Sequence, residues 1–181
     1  KLSWPLSWEV RLAWYGGLAG GTLAVTLFLR RASIPWLTGA DALAPSLAIG
    51  QAIGRIGCQL SGDGDWGTET TVPWGMAYPH AVVGWDKVPG VRVHPTPLYE
   101  CAAYLVIFAI LWRLRRQPVR EGTVFSAYLV LSGLARFAVE FVRVNPRVVF
   151  GFSEAQVVSV VLVAIGGAFV LLRRGWRTAA A

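Results

Sequence analysis

Charged side chains make up only 15% of this chain, against roughly a quarter in an ordinary soluble domain. Too little charge remains to coat a water-exposed surface. Cysteine is almost missing as well. Cys58 and Cys101 cannot build the disulfide framework of a small secreted fold, and both read as small apolar helix residues. No internal repeat and no low-complexity segment interrupts the sequence, and no cleavable signal peptide is legible. The chain opens on Lys1-Leu2-Ser3-Trp4 without an initiator methionine, so a partial or shortened chain is expected.

Apolar residues take the space that charge leaves, at 55% of the composition, and mean hydropathy is clearly positive. A helix needs about 20 mainly apolar residues to cross the hydrocarbon core. Five stretches qualify, at roughly 8–29, 36–60, 97–112, 123–142 and 155–172. The expected fold is therefore all-α: a polytopic transmembrane helix bundle of about five spans. Residues 1–181 form one membrane domain with an outer loop over 61–96. Basic residues mark cytoplasmic ends. Arg30 and Arg31, then Arg113 to Arg120, then Arg173 to Arg177 predict an outside N-terminus and a cytoplasmic C-terminus. Trp4, Trp8, Trp14, Trp36, Trp112 and Trp176 fall near predicted interfaces, as an aromatic belt would. The net charge of +7 sits at the ends of apolar runs, which argues for membrane orientation and against nucleic acid. No inverted repeat and no polar stripe through the spans suggests a transporter or channel.

Ionisable groups inside apolar spans are costly and mark functional sites. Arg136 lies well inside the fourth span, with Glu140 one helical turn on and Arg143 near the outer end. Two readings are open: an internal Arg136–Glu140 pair that only offsets burial, or an outward polar cavity in which Arg136 holds an anion. Arg55 stands in Gly54-Arg55-Ile56-Gly57-Cys58 near the outer end of the second span. The flanking glycines permit close approach of a helix or ligand. Its guanidinium fork suits phosphate oxygens, although a snorkelling anchor is the plainer alternative. Two such arginines from different helices would suit a phospholipid headgroup. In Ser61-Gly62-Asp63-Gly64-Asp65-Trp66-Gly67 the spacing lacks the ligand set and closing Glu of a calcium loop. No metal is expected, and Asp63 or Asp65 is instead a partner for Arg55. His94, in His94-Pro95-Thr96-Pro97-Leu98-Tyr99-Glu100, reads either as a proton acceptor or as a helix-entry residue beside its prolines. Glu100 lies slightly inside the membrane and needs an arginine.

Together these pieces resemble the prolipoprotein diacylglyceryl transferases of bacterial membranes. The matching segments occur in that family's order: Tyr15-Gly16-Gly17-Leu18-Ala19-Gly20-Gly21, Asp41-Ala42-Leu43-Ala44-Pro45, Gly54-Arg55-Ile56-Gly57, His94 to Glu100, and Arg136-Phe137-Ala138-Val139-Glu140-Phe141-Val142-Arg143, with Gln156 near the last span. The resemblance implies transfer of a diacylglyceryl group from phosphatidylglycerol to the lipobox cysteine of a preprolipoprotein, without cofactor. It implies a multi-pass protein of the bacterial cytoplasmic (inner) membrane, with phosphatidylglycerol, preprolipoprotein signal peptides and membrane lipids as partners. It marks Arg55 and Arg136 as the key arginines. Tyr15 stands where many members have His, and His94 is one substitute base. Gly54, Gly57, Asp63, Tyr99, Glu100, Glu140 and Arg143 are expected on the substrate side. After Gly57 the family's Asn-Phe-apolar-Asn-Gly-Glu becomes Cys58-Gln59-Leu60-Ser61-Gly62-Asp63, and about two of the family's N-terminal spans have no counterpart. A phospholipid-binding membrane protein of the same fold without the chemistry is the second reading.

Overall fold

The computed structural model describes residues 4–144, 147–149 and 151–172, with side chains described over 16–144 and 151–172. Five helices organise the described residues: α1 (Trp4–Arg31), α2 (Trp36–Ser61), α3 (Thr96–Leu114), α4 (Thr123–Val139) and α5 (Glu154–Leu172). The all-α expectation needs one amendment. A short antiparallel hairpin, β1 (Arg147–Val149) with β2 (Phe152–Ser153), precedes α5. Helices α3 and α5 are long and apolar enough to cross a bilayer, and α4 is apolar but has 17 residues. It stops at Val139, short of the expected 142. Phe141 and Val142 donate back only three residues, to Ala138 and Val139, so the last turn tightens and then breaks.

The chain divides into two compact units, residues 1–40 and 41–181. In the first, α1 turns sharply after Arg31 through Ser33, which has a φ of 55°. Leu29 is buried there against Gly39, where an added Cβ would lie 2.5 Å from the leucine methyls. The Trp36 indole donates to Thr26.

The second unit is built on small residues. Ala44, Ala48 and Ala52 repeat every four residues down one face of α2, and all three are fully buried. They join Cys101, Tyr104, Ile107 and Leu111 of α3 and Val124 and Ala127 of α4 in one core. Small residues at such positions let helix backbones approach closely. The α4–α5 contact follows the same rule. A Cβ at Gly133 would lie 2.8 Å from Val163 and 2.9 Å from the Ser159 carbonyl, and one at Gly166 would lie 2.8 Å from the Ser126 carbonyl.

Helix starts are capped in two ways. Ser153 and Gln156 form a reciprocal capping box at α5: the Gln156 N–H donates to the Ser153 hydroxyl, and the Ser153 N–H donates to the Gln156 side-chain oxygen. Helix α4 begins after Gly122, at a φ of 85°, and has no cap from its own segment. Asp41 of α2 supplies it instead. Its two oxygens accept the N–H groups of Gly122 at 2.7 Å and Phe125 at 2.8 Å. A carboxylate at a helix N-terminus also suits the helix dipole.

Candidate active site

Four elements converge at one end of the second unit. Arg55 projects from the last turns of α2, Glu100 from the start of α3, Arg136 from the end of α4, and Arg143 from the turn beyond it. The Glu100 carboxylate, 2% exposed, receives all three guanidinium groups. Arg55 Nε meets Oε2. Arg136 meets Oε1 at 2.5 Å, and Arg143 meets the same oxygen at 3.2 Å. Arg136 also pairs with Glu140 at 3.1 Å, one turn along its own helix. The Arg136–Glu140 pair of the first sequence reading is therefore present, and Arg136 also meets Glu100 on α3.

A second carboxylate closes the cluster from the loop side. Asp65 Oδ2 takes Arg55 NH1 at 2.5 Å, while Oδ1 takes Arg143 NH2. Asp63, named from sequence, is exposed and accepts the Asp65 backbone N–H at 3.2 Å. The acid that grips the arginines is its neighbour. Three guanidiniums thus face three carboxylates, Glu100, Glu140 and Asp65. Buried charge is tolerable only when paired in this way.

The loop is pinned where Asp65 leaves it. The Thr96 hydroxyl donates to the Asp65 carbonyl, and Gly67 bridges to Arg143 and donates to His94 O at 2.8 Å. Only glycine fits at 67, because a Cβ would overlap the Val142 carbonyl oxygen. At Gly54 and Gly57, by contrast, an added Cβ meets nothing within 4 Å. Of the two approaches expected at those glycines, helix or ligand, that of a helix is not seen among the described residues.

His94 and Tyr99 form a neighbouring group. The Trp74 indole donates to the Tyr99 hydroxyl oxygen at 2.8 Å, and His94 Nδ1 lies 3.0 Å from the same oxygen. Indole N–H can only donate, so the Tyr99 oxygen accepts from Trp74, and the direction of the His94–Tyr99 bond follows the imidazole tautomer. Among the described residues His94 makes no hydrogen bond or ion pair to Arg55 or Arg136. The Tyr15 side chain lies outside the described residues, as do Arg173 to Arg177.

Burial first, then the neighbouring Arg55, pulls the Arg143 guanidinium down to about 10, against the opposing pull of Asp63. It stays cationic at neutral pH. Cys58 and Cys101 are free thiols, and Arg55 NH1 approaches Cys58 Sγ at 3.9 Å. Cys58, Asp63 and Asp65 could offer three metal-ligand atoms within 4.8 Å of one another. Both Asp65 oxygens are already neutralised by arginine, however, which weakens that donor set.

Sequence reasoning left one of these roles undecided and missed two others. Asp65 was visible only as one of two possible partners for Arg55. Counting charges would have found it, since three arginines gathered at one centre require a third acid beside Glu100 and Glu140. The Asp41 and Thr96 contacts join segments far apart in the chain and leave no local signature.

A mostly helical fold with two helices long and apolar enough to cross a bilayer, around a partly buried arginine–carboxylate centre, fits a helical membrane protein. Family comparison narrows the class. Residues 2–172 match the family model described as prolipoprotein diacylglyceryl transferase. Proteins named phosphatidylglycerol–prolipoprotein diacylglyceryl transferase are similar to this chain in Teredinibacter turnerae (39% identical, over 88% of this chain and 55% of the relative). Others occur in Leptospira interrogans (33%, over 92% and 60%) and Cupriavidus pinatubonensis (37%, over 91% and 59%). The chain belongs to the prolipoprotein diacylglyceryl transferase family. It spans a little over half the length of these relatives.

Proposed function

We propose that this chain transfers a diacylglyceryl group from phosphatidylglycerol to the cysteine thiol of a preprolipoprotein lipobox, releasing glycerol phosphate. The carbon–oxygen bond to phosphate breaks and a carbon–sulfur bond forms. The thiol proton passes to a base or to the departing phosphate. Arg55 and Arg136 hold the phosphate and stabilise the charge that develops on its leaving oxygen, and Arg143 adds a third donor. The attacking species is the thiolate, for which His94 or Tyr15 is the candidate proton acceptor. Gly54, Gly57 and Tyr99 border the lipid, and Asp63, Glu100 and Glu140 orient the groups that meet it. No cofactor or metal takes part.

One observation carries this reading: Arg55 and Arg136, on separate helices, share the Glu100 carboxylate. Two bidentate-capable cations gathered on one carboxylate suit a single phosphate.

The same proposal makes residues 1–181 one membrane domain with five crossings, an outside N-terminus and a cytoplasmic C-terminus, in the bacterial cytoplasmic membrane. Trp112 with Arg115 stacked 4.2 Å from its ring suits an interfacial anchor at the cytoplasmic end of α3. Membrane lipids and preprolipoprotein signal peptides are its partners, and nucleic acid is not.

The test is incubation of the purified protein with labelled phosphatidylglycerol and a lipobox peptide, followed by mass measurement of the peptide. A thioether-linked diacylglyceryl adduct that disappears in Arg55→Ala and Arg136→Ala is expected. Normal transfer by both variants removes the reading. Lipid bound without any adduct supports the lipid-binding alternative.

A further inference from the structure

The arginine centre is already full. Its three cations are matched by three acids, so an anionic headgroup cannot enter without competing with one of them. The three acids are not equivalent. Glu100 and Glu140 rise from helices α3 and the end of α4, with side chains 2% and 1% exposed. Asp65 comes from an irregular loop, and its side chain is 24% exposed. It spans Arg55 and Arg143 with one oxygen on each. Two oxygens on one centre, each against a guanidinium, is also how the non-bridging oxygens of a phosphodiester would sit.

Resting on the lipid-phosphate reading above, the geometry points to Asp65 as an internal stand-in for the headgroup phosphate, one that the incoming lipid displaces and that sets the affinity of the site. The displacement is a side-chain rotation. The Asp65 backbone is tied at its carbonyl by Thr96 and at its N–H by Asp63, so the loop stays in place while the carboxylate swings toward solvent. Asp65 therefore acts through Arg55 and Arg143 as a specificity residue. It is strong enough to keep weak anions and zwitterionic lipids out, and weak enough to yield to a headgroup that brings further contacts. In population terms, a site occupied by its own carboxylate nine-tenths of the time binds ligand about tenfold more weakly than an open one.

The experiment titrates the full chain in detergent with short-chain phosphatidylglycerol, with short-chain phosphatidylcholine as the zwitterionic control, and follows heat. Asp65→Asn keeps the shape and removes the charge, and Asp65→Ser covers the case in which the asparagine protein fails to fold. Glu69→Gln removes one negative charge from the same loop at an exposed pair with Lys87. Expected is a phosphatidylglycerol dissociation constant about tenfold lower for the Asp65 variant, with Glu69→Gln unchanged and discrimination against phosphatidylcholine reduced. An unchanged or higher constant for the Asp65 variant overturns the proposal and leaves Asp65 as a strut for the arginines. Equal tightening by Glu69→Gln overturns it in favour of general electrostatics. The transfer assay, run on the same preparations, separates the two readings. A wild type that binds phosphatidylglycerol but forms no adduct defeats transfer and leaves Asp65 to be judged by the constants. A wild type that binds no phosphatidylglycerol defeats both.

Discussion

Arg55 and Arg136 meet on opposite oxygens of the Glu100 carboxylate, the first through Nε and the second through NH1 at 2.5 Å. Glu100 is buried, so removing its charge leaves cations without a counter-ion in a poor solvent. Breaking such a buried pair typically costs about 3 kcal/mol or more. Glu100→Ala is expected to lower thermal stability by an amount of that order, measured by circular dichroism in detergent. A melting temperature within error of wild type would contradict the buried-pair account.

Arginine and lysine should not be interchangeable at position 55. Arg55 uses Nε for Glu100 and NH1 for Asp65, and a single ammonium cannot hold that fork. Arg55→Lys is expected to keep the protein folded while transfer to a lipobox peptide falls by at least about a hundredfold, the scale of losing one preorganised donor. Initial rates at saturating lipid measure it.

Gly67 packs against Val142, His94 and Thr96, with Cβ clearances of 2.9 Å to the last two. Gly67→Ala should force the loop away from Arg143 and shift Asp65. Overpacking of this kind costs about 1–3 kcal/mol, and phosphatidylglycerol binding should change with it. Unchanged binding and unchanged melting would show that the loop adapts freely.

The glycine contact between α4 and α5 offers a test away from the charges. Gly133→Val adds volume against Val163 and the Ser159 carbonyl. It should destabilise the bundle by about 1–3 kcal/mol, seen as earlier thermal aggregation. Gly54→Ala, at a position with open space around it, should leave melting unchanged.

Arg143, drawn down to about 10 by burial and by Arg55, gives a pH signature. Phosphatidylglycerol affinity should stay level from neutral pH to about 9 and fall as pH passes 10, where the guanidinium releases its proton. The stability contribution has the opposite sign. The unfolded chain binds that proton more tightly, so above about 10 this group favours the folded state increasingly as pH rises. Affinity measured in Arg143→Gln should lose the decline near 10.

Much of this was legible in the sequence because apolar spans expose their exceptions. Arg136 and Glu100 stood out as charges inside lipid-length runs, and a buried acid lacking a partner already demanded an arginine. The helices α2, α3 and α5 start and end within about two residues of the apolar runs that announced them. The end of α4 was misplaced, because hydrophobicity continues through Phe141 and Val142 after the helical hydrogen bonds have given out. Asp65 was hard to separate from Asp63, since two acids one glycine apart have the same composition signal and differ only in which way the loop turns. His94 was placed near the site by its motif. That Tyr99, itself held by Trp74, meets its ring depends on a fold-back of the loop that no local pattern encodes.

The carboxylate that seats the start of α4 lies at the far end of that helix from Arg136. Asp41 fixes Gly122 and Phe125, and an α-helix advances 1.5 Å per residue, so Arg136 sits about 20 Å above that datum. The depth and compass bearing of the guanidinium are thus inherited from a fastening at the opposite pole. Inserting one residue between Phe125 and Arg136 would swing the arginine by about 100° around the rod and turn it away from Glu100, with every chemical group in the centre still present.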